Sequence, residues 1–302
     1  MNRLLLLLVL FLPLPLAAQE IGTLTLIEGS VRLLRGAVVL QAGEGVRLRQ
    51  GDIIESSSPG FVQLEFGQGT VVALGPSSRL FLFSGAGGRA GGESANKTPS
   101  TDLVLLSGWL KGEVNSASTS YRFESPLLAV SARGGTIVLH ATREATEAFV
   151  ESGTAKINEV GPDGSLARSD LDAKSGQFLL RQAGKGVTAD SRLPSSFTES
   201  MPVPFRDTIP SLISHFEGKT AAPRRQHEVT YAEVEPWLTM GRTWRRGFVD
   251  RFKARVNDGA FRKGLEDHLN NHPEWDPVLH PEKYAPKTPA QAPDSSHPGY
   301  SK

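Results

Sequence analysis

The sequence predicts a mainly-β protein with a small helical segment near its C-terminus. Between Gly22 and Val187, short apolar runs are cut off by glycine or polar turn residues, and helical periodicity is almost absent. This strand pattern stops near Leu193, and apolar residues recur at helical spacing only after Glu228. These observations together predict stacked or rolled β-sheets, in a sandwich or solenoid-like arrangement, followed by a helical appendix.

Residues 1–18 have the parts of a secretory signal peptide. Arg3 supplies a positive charge, an apolar run follows from Leu4 to Phe11, and small residues end the segment at Ala18. The competing interpretation is a membrane anchor, but a span needs about 20 apolar residues and prolines interrupt this stretch. We therefore expect cleavage after Ala18 and a periplasmic or secreted protein.

Composition excludes several classes of function. Lysine and arginine total 33 and aspartate and glutamate total 32, and this balance argues against a nucleic-acid-binding protein. The chain contains no cysteine, so disulfides, thiolate catalysis and zinc–cysteine sites are excluded. We expect burial alone to hold the core together.

The clearest strand signal is an alternation of apolar and polar residues. Val62, Leu64 and Phe66 share one face of an extended segment, while Gln63 and Glu65 face the other side. This pattern is typical of a half-buried strand.

Other segments predict a tight turn and strands that are apolar on both faces. Gly67 and Gly69 can supply the positive φ that a tight hairpin needs. The runs Leu80–Phe83 and Leu103–Leu106 are apolar on both faces, which predicts strands that are covered on both sides.

A short pattern recurs along the chain. The segments Ile27–Leu33, Leu106–Lys111 and Glu151–Ile157 each place a glycine just before residues of strand character. Such recurrence is expected when a sheet coils or stacks on itself. Generic hairpins that favour glycine explain it equally well.

The order of these landmarks resembles the FecR domain, the periplasmic β domain of the bacterial FecR family. The resemblance covers roughly residues 21–182. The matching segments are Gly29–Leu33, Leu48–Ile54, Val62–Thr70, Gly75–Leu80, Leu106–Gly108, Phe123–Pro126, Val130–Thr136 and Val150–Gly153.

The resemblance implies a periplasmic β domain that contacts another envelope protein or a glycan. The best-known family members sense signals for an extracytoplasmic sigma factor and carry a cytoplasmic segment ahead of a membrane span. Here a signal peptide occupies that place, so the sigma-regulating activity is not carried over.

In the C-terminal third of the chain the strand pattern gives way to prolines and then to helical spacing of apolar residues. Prolines break the chain repeatedly after Leu193, which predicts a connector lying over a surface. Thr230 and Glu233 fit a capping box that starts a helix, and a second helix is predicted from Asp258. This region, including Phe205–Pro210 and Trp237–Leu238, resembles the C-terminal extension of exported FecR-domain proteins. The predicted segments are a signal peptide (1–18), a FecR-like β domain (19–193), a Pro-rich linker (194–228), a helical appendix (229–284) and a disordered tail (285–302).

Basic residues crowd the helical appendix between Gly241 and Lys263. A basic amphipathic helix can meet anionic lipid, an acidic glycan or an acidic partner surface. It can equally be a solvated face whose long side chains cover an aromatic stripe. The candidate partner-binding residues are Arg242, Arg245, Arg246, Arg251 and Arg255.

Other motifs lack part of the chemistry they suggest. His268 and His272 stand four apart, but Leu269 occupies the position of the glutamate in a zinc-protease helix. The segment Gly85–Ala90 matches a dinucleotide-binding loop without the apolar helix that must follow it. Asp170–Asp172 suggests a calcium loop without the full ligand series. We predict no catalytic residue, metal site or cofactor.

We therefore expect a non-catalytic envelope protein that binds or scaffolds an envelope protein, peptidoglycan or another anionic glycan. The basic helix leaves peripheral contact with a membrane surface open, and the oligomeric state is not predicted. Two alternatives stay open. One is a glycan hydrolase whose paired acids meet only in the fold, and the other is an accessory of transporter-linked envelope signalling.

Overall fold

The computed structural model describes residues 20–84, 100–115 and 120–284. The predicted signal peptide, the segment Gly85–Ala90 and the predicted tail lie outside these residues. Among the helices of the described ranges, none combines the length and the apolar character needed to cross a membrane.

Sixteen β-strands of the described residues join in one large, open, mixed sheet. Strands β9 and β10 pair in parallel, and the other paired strands are antiparallel. The prediction of a mainly-β protein is confirmed. The strands are β1 Glu20–Glu28, β2 Val31–Arg35, β3 Val38–Ala42, β4 Arg47–Arg49, β5 Ile53–Ser56, β6 Phe61–Phe66, β7 Thr70–Leu74, β8 Arg79–Ser84, β9 Ser100–Val114, β10 Ser120–Glu124, β11 Leu128–Ala141, β12 Ala145–Val160, β13 Leu166–Lys174, β14 Phe178–Gln182, β15 Thr188–Asp190 and β16 Arg224–Glu228.

Strand β9 is the branch point of the sheet. Its first half pairs with β8 and β10, and its second half pairs with β7 and β11. The change of partners occurs at Gly108, whose φ is +93°. A Cβ atom there would lie 2.4 Å from the hydroxyl of Ser78, so a side chain does not fit. Gly108 thus lets β9 bend and pair with different strands along its two halves.

The recurrent glycines share a backbone conformation but not a position. Gly29, Gly108 and Gly153 all have positive φ. Gly29 separates β1 from β2, whereas Gly108 and Gly153 lie inside long strands. The prediction that each glycine precedes a strand is therefore correct only for the first, because the other two strands bend and continue.

The hairpin between β6 and β7 also differs in detail from the prediction. Phe66 pairs with Thr70 across a connection of three residues. Positive φ occurs at Gln68 and Gly69 and not at Gly67. The expectation for Gly67 is wrong, because this turn places its left-handed residues at the second and third positions.

The sheet has an inner apolar core and covered outer faces. Leu80 and Leu82 of β8 belong to the inner core, which most strands share. Phe81 and Phe83 of the same strand point to a second cluster formed with the helical appendix. Val104 of β9 joins that second cluster, between neighbours that join the first. The prediction that these runs are covered on both sides is confirmed.

In the described ranges, five short α-helices and several single turns of 3₁₀-helix follow or interrupt the strands. The capping box of Thr230 and Glu233 is present, and the carboxylate of Asp258 accepts a hydrogen bond from the backbone N–H of Phe261 at 2.9 Å. Both predicted helix starts are confirmed. The α-helices are α1 Ser195–Ser200, α2 Tyr231–Leu238, α3 Arg242–Phe252, α4 Gly259–Asp267 and α5 Asp276–Leu279. The 3₁₀ turns are Gly67–Gly69, Val203–Arg206, Ile213–Phe216, Lys253–Asn257, Leu269–Asn271, Pro273–Trp275 and Pro281–Lys283.

The helical appendix packs directly on the sheet. The rings of Phe81 and Phe248 lie 5.3 Å apart, and those of Phe83 and Trp244 lie 5.4 Å apart. Trp237 of α2 is fully buried in the same cluster. Strands and helices therefore share one apolar core at this interface, and the position of α3 is fixed by aromatic packing.

The connector covers another outer face of the sheet. Gln63 donates a hydrogen bond to the carbonyl of Pro210 at 2.8 Å, and the carboxylate of Glu65 accepts one from the backbone N–H of Leu212 at 2.6 Å. Both polar side chains are buried, with 1% and 2% of their surface exposed. The prediction that β6 is half-buried is wrong, because the connector covers its polar face.

A buried lysine fastens the same connector. The ammonium of Lys111 is fully buried and donates to the carbonyls of Phe205 and Asp207 at 2.9 and 3.0 Å. It also lies 3.0 Å from a carboxylate oxygen of Glu151. The connector thus lies over a surface, as predicted, and polar contacts as well as apolar packing hold it there.

Candidate functional site

The predicted basic residues of the appendix divide into internal and exposed groups. Arg245 is internal: its Nε lies 2.8 Å from a carboxylate oxygen of Glu274. Its guanidinium also donates to the carbonyls of Met240 and Asn271. This arginine ties α3 to the chain that follows α4.

Arg251 joins the appendix to the sheet. Its guanidinium donates to three backbone carbonyls, those of Leu34 at 2.8 Å, Gly36 at 2.9 Å and Gly51. Burial lowers the pKa of Arg251 to about 10, while the nearby carboxylate of Asp52 acts in the opposite direction. The side chain therefore stays charged at neutral pH, and its bonded acceptors are neutral.

Arg255 joins the chain after α3 to the residues just before α2. It donates to the carbonyl of Val229 at 3.1 Å and to the carboxylate of Glu228, and lies 3.4 Å from a carboxylate oxygen of Asp258. Its guanidinium also lies over the ring of Phe261 at 5.6 Å. These contacts stabilise the packing of the appendix.

Arg242 and Arg246 are the exposed members of the predicted set. Arg242 has one distant carboxylate neighbour, Glu274, at 3.8 Å. Arg246 makes no hydrogen bond or ion pair with the described part of the chain. Both residues lie on α3, where they line the cleft between the appendix and the sheet.

This cleft, which we call the arginine cleft, has a volume of about 860 Å³. Its walls come from the β2–β3 turn, the β4–β5 turn, strand β8 and helix α3. Phe81 and Phe83 form an apolar wall on the sheet side. The size is that of a site for a small ligand or for one segment of a larger one. The lining residues that carry charge are Arg35, Arg49, Arg242, Arg246, Arg251, Asp52 and Asp163.

The charges of the arginine cleft are unbalanced. Asp52 is 1% exposed and accepts two hydrogen bonds from Arg35, at 2.9 and 2.6 Å. The backbone N–H of Arg49 donates to the same carboxylate at 2.8 Å. Asp163 accepts from the backbone and hydroxyl of Ser165, at 2.9 and 2.6 Å. Both carboxylates of the lining are thus hydrogen-bonded, and positive charge remains in excess.

Arg49 is the most unusual member of the lining. Its Nε is buried and has no hydrogen-bond partner within the described ranges. Buried donors in folded proteins are nearly always paired, with protein, water or a bound group. Arg49 and Asp52 are not among the site residues predicted from the sequence, although both lie in the Leu48–Ile54 landmark. The appendix that completes their surroundings is nearly two hundred residues away in sequence, as the contact of Arg251 with Gly51 shows.

A second cleft of about 410 Å³ adjoins the first and shares Trp244 with it. Arg79 and Arg143 line it. The Nε of Arg79 lies 3.4 Å from the carboxylate of Glu55, whose pKa is raised by burial. The indole N–H of Trp244 donates to the buried carboxylate of Glu124 at 3.0 Å. We therefore interpret Trp244 chiefly as a packing residue between the two clefts.

The histidines near the C-terminus form no metal site within the described residues. Helix α4 ends at Asp267, so His272 is not on its face. His272 is fully buried, and its Nε2 lies 3.0 Å from the hydroxyl of Tyr231. Burial lowers the pKa of His272 and raises that of Tyr231 to about 12. His272 is buried because short turns carry the chain inward after α4.

The acidic pair at positions 170 and 172 also has a structural role. Lys156 on the neighbouring strand lies 2.9 Å from Asp170 and 3.3 Å from Asp172. All three side chains are exposed, so this contact stabilises the protein little. It is a cross-strand ion pair between β12 and β13.

Comparison with known proteins gives limited similarity. No protein-family model matches the chain, and no curated protein matches it. Two crystal structures of a candidate anti-sigma factor from Parabacteroides distasonis ATCC 8503 are similar to it, at 1.65 and 2.50 Å resolution. In each case the sequence identity is 12%, the TM-score is 0.36, and the match covers 46% of this chain and 59% of the other. The chain thus spans less than two thirds of the matched structures, and the FecR resemblance rests on its landmark residues.

Proposed function

We propose that this protein is a non-catalytic binding protein of the bacterial cell envelope and that its arginine cleft holds an anionic envelope glycan. The observation that carries the proposal is the excess of positive charge in a concave site. Arg242 and Arg246 are exposed at this site, and the two lining carboxylates are already hydrogen-bonded. Guanidinium groups bind carboxylate and phosphate oxygens with favourable paired geometry.

The fixed position of α3 supports binding in this cleft. Phe248 and Phe252 are buried, and Arg251 bonds to carbonyls of two sheet turns. The exposed arginines on the same helix are therefore held at a defined distance from the sheet. A site that is formed before binding loses less entropy when the ligand arrives.

The shape of the cleft favours a glycan over a folded protein partner. A volume of about 860 Å³ suits a few sugar units, whereas protein interfaces are usually broad faces of about 800 Å² per partner. The apolar face of α3 is used for packing on the sheet, so it is not available for insertion into a lipid surface. An acidic protein partner is an outcome that the test below distinguishes.

The proposal includes export, as the predicted signal peptide of residues 1–18 requires. Fractionation of cells and N-terminal sequencing of the mature protein test this part. We expect recovery in the periplasmic fraction with Gln19 as the first residue. A cytoplasmic protein that retains Met1 would contradict the assignment to the envelope.

Binding is tested by co-sedimentation with purified peptidoglycan sacculi. We expect the native protein to sediment with them, and the double variant Arg242→Glu with Arg246→Glu to remain in the supernatant. The matched control is Lys253→Glu with Lys263→Glu, which makes the same change of charge at exposed residues outside the clefts. The control should sediment like the native protein.

Chemical modification of the glycan provides the second arm. Sacculi whose carboxylates are converted to neutral amides should lose binding. Equal sedimentation of the two charge variants, or undiminished binding to the amidated sacculi, would contradict the proposal. Binding to an acidic envelope protein but not to sacculi would replace the glycan with a protein partner.

A further inference from the structure

The strongest unassigned feature is the part of the arginine cleft formed by the β4–β5 turn. Arg35, Arg49 and Arg251 line it together with the single carboxylate of Asp52. Asp52 forms its paired hydrogen bonds with Arg35. The other two guanidinium groups have no carboxylate partner within the described residues.

Arg251 contributes charge, and three of its five N–H donors are already used in hydrogen bonds. Its Nε, Nη1 and Nη2 each donate to a backbone carbonyl. These neutral acceptors carry no compensating charge, and the nearby carboxylate of Asp52 is already paired with Arg35. A second cation beside it is unfavourable unless an anion is also present.

Arg49 contributes a buried donor that has no partner within the described residues. Its Nε is buried without a partner, whereas its backbone N–H is held by Asp52 at 2.8 Å. The backbone contact fixes the start of the side chain, because the β4–β5 turn closes around the Asp52 carboxylate. An unsatisfied buried donor that is part of a charged group is costly, and an oxyanion at this point would satisfy it.

We infer that Arg49 anchors a binding site for one oxyanion group, a carboxylate or phosphate carried by the ligand of the arginine cleft. This deepens the proposed function by naming the chemical group that the ligand must present. Arg35 and Arg251 supply the surrounding positive field, and Phe81 and Phe83 form the apolar wall beside it. The exposed Arg242 and Arg246 contact other parts of the ligand.

The inference is tested by nuclear magnetic resonance on the mature protein, with inorganic phosphate and two sugars as probes. The readouts are the side-chain Nε–H signal of Arg49 and the backbone amide signal of Gly51, which also lines the cleft. N-acetylmuramic acid carries a lactyl carboxylate, and N-acetylglucosamine is the matched sugar without it. For a small anion with few contacts we expect weak affinity, on the order of 1 mM, which a titration can measure.

We expect saturable shifts with phosphate and with N-acetylmuramic acid, and none with N-acetylglucosamine. Arg49→Gln should weaken the affinity that the Gly51 amide signal reports at least about tenfold, because one charge-assisted hydrogen bond is lost. Arg225→Gln, at an exposed residue on β16 outside the cleft, should leave it unchanged. Matching melting temperatures of the two variants show that folding is intact.

The outcomes separate this inference from the proposed function. Shifts with phosphate alone support the oxyanion site and assign it to a free anion rather than a glycan. No saturable shift with either anion, or an unchanged Gly51 shift in Arg49→Gln, would overturn the inference. Sedimentation with sacculi could still stand in that case, since it tests Arg242 and Arg246.

Discussion

The interface between the sheet and the helical appendix predicts a large effect for Phe248→Ala. Phe248 is 2% exposed, and its ring centroid lies 5.3 Å from that of Phe81 and 6.0 Å from that of Trp237. Replacing a buried phenylalanine with alanine costs about 3–5 kcal/mol, because apolar surface is lost and a cavity remains. That loss is large beside a total free energy of unfolding of about 5–15 kcal/mol.

Tryptophan fluorescence in a urea titration measures this loss. Of the four tryptophans, only Trp109 lies outside the appendix, so the emission reports mainly on the appendix. With an m-value of about 1–3 kcal/mol/M, we expect the midpoint of Phe248→Ala to fall by at least about 1 M. The control Val203→Ala removes an apolar side chain that is 68% exposed, and it should change stability by less than about 0.5 kcal/mol. If the urea midpoint of Phe248→Ala falls no further than that of the control, the shared core is refuted.

Three further predictions concern close packing and buried charge. Gly241→Ala should lower the melting temperature and cost about 1–3 kcal/mol, because the added Cβ would lie 2.5 Å from the backbone of the β12–β13 turn. The control Gly247→Ala, within α3, places its Cβ in open space and should not destabilise the protein. Equal melting temperatures of the two variants would contradict this reasoning. Lys111→Met should cost about 3–5 kcal/mol in chemical denaturation, since it leaves buried acceptors unpaired, whereas the exposed Lys156→Met should cost less than about 1 kcal/mol. The pKa of His272 is lowered by burial, so the unfolded chain binds a proton below about pH 6.5 while the folded chain does not. The free energy of unfolding should therefore fall as the pH drops below this value, and a His272→Gln variant with the same slope would disprove the assignment.

Local sequence patterns predicted the strands and helix starts well. The two-faced runs of β8 and β9 follow from burial on both sides, which short segments record directly. The capping box at Thr230 is likewise a property of four adjacent residues. These features need no knowledge of distant parts of the chain.

Features created by distant contacts could not be predicted. Gln63 and Glu65 alternate like solvent-facing residues, yet the connector buries them nearly 150 residues later in the chain, as the contact between Gln63 and Pro210 shows. His272 likewise lies inside only because turns after α4 redirect the chain.

The candidate site was predicted only in part. The crowding of arginines on α3 identified Arg242 and Arg246, because charge density is visible in sequence. The roles of Arg251 and Arg49 depend on where α3 docks against the β4–β5 turn. Buried and exposed arginines look alike until that docking is known.

The central claim, that the arginine cleft holds an anionic envelope glycan, is tested most directly by photo-crosslinking in intact cells. A photoreactive residue replaces Arg246 in the cleft or, as a control, the exposed Val203 of the connector. We expect adducts at position 246 that release muropeptides on digestion, and no adducts at position 203. Equal labelling at the two positions, or adducts without glycan, would contradict it.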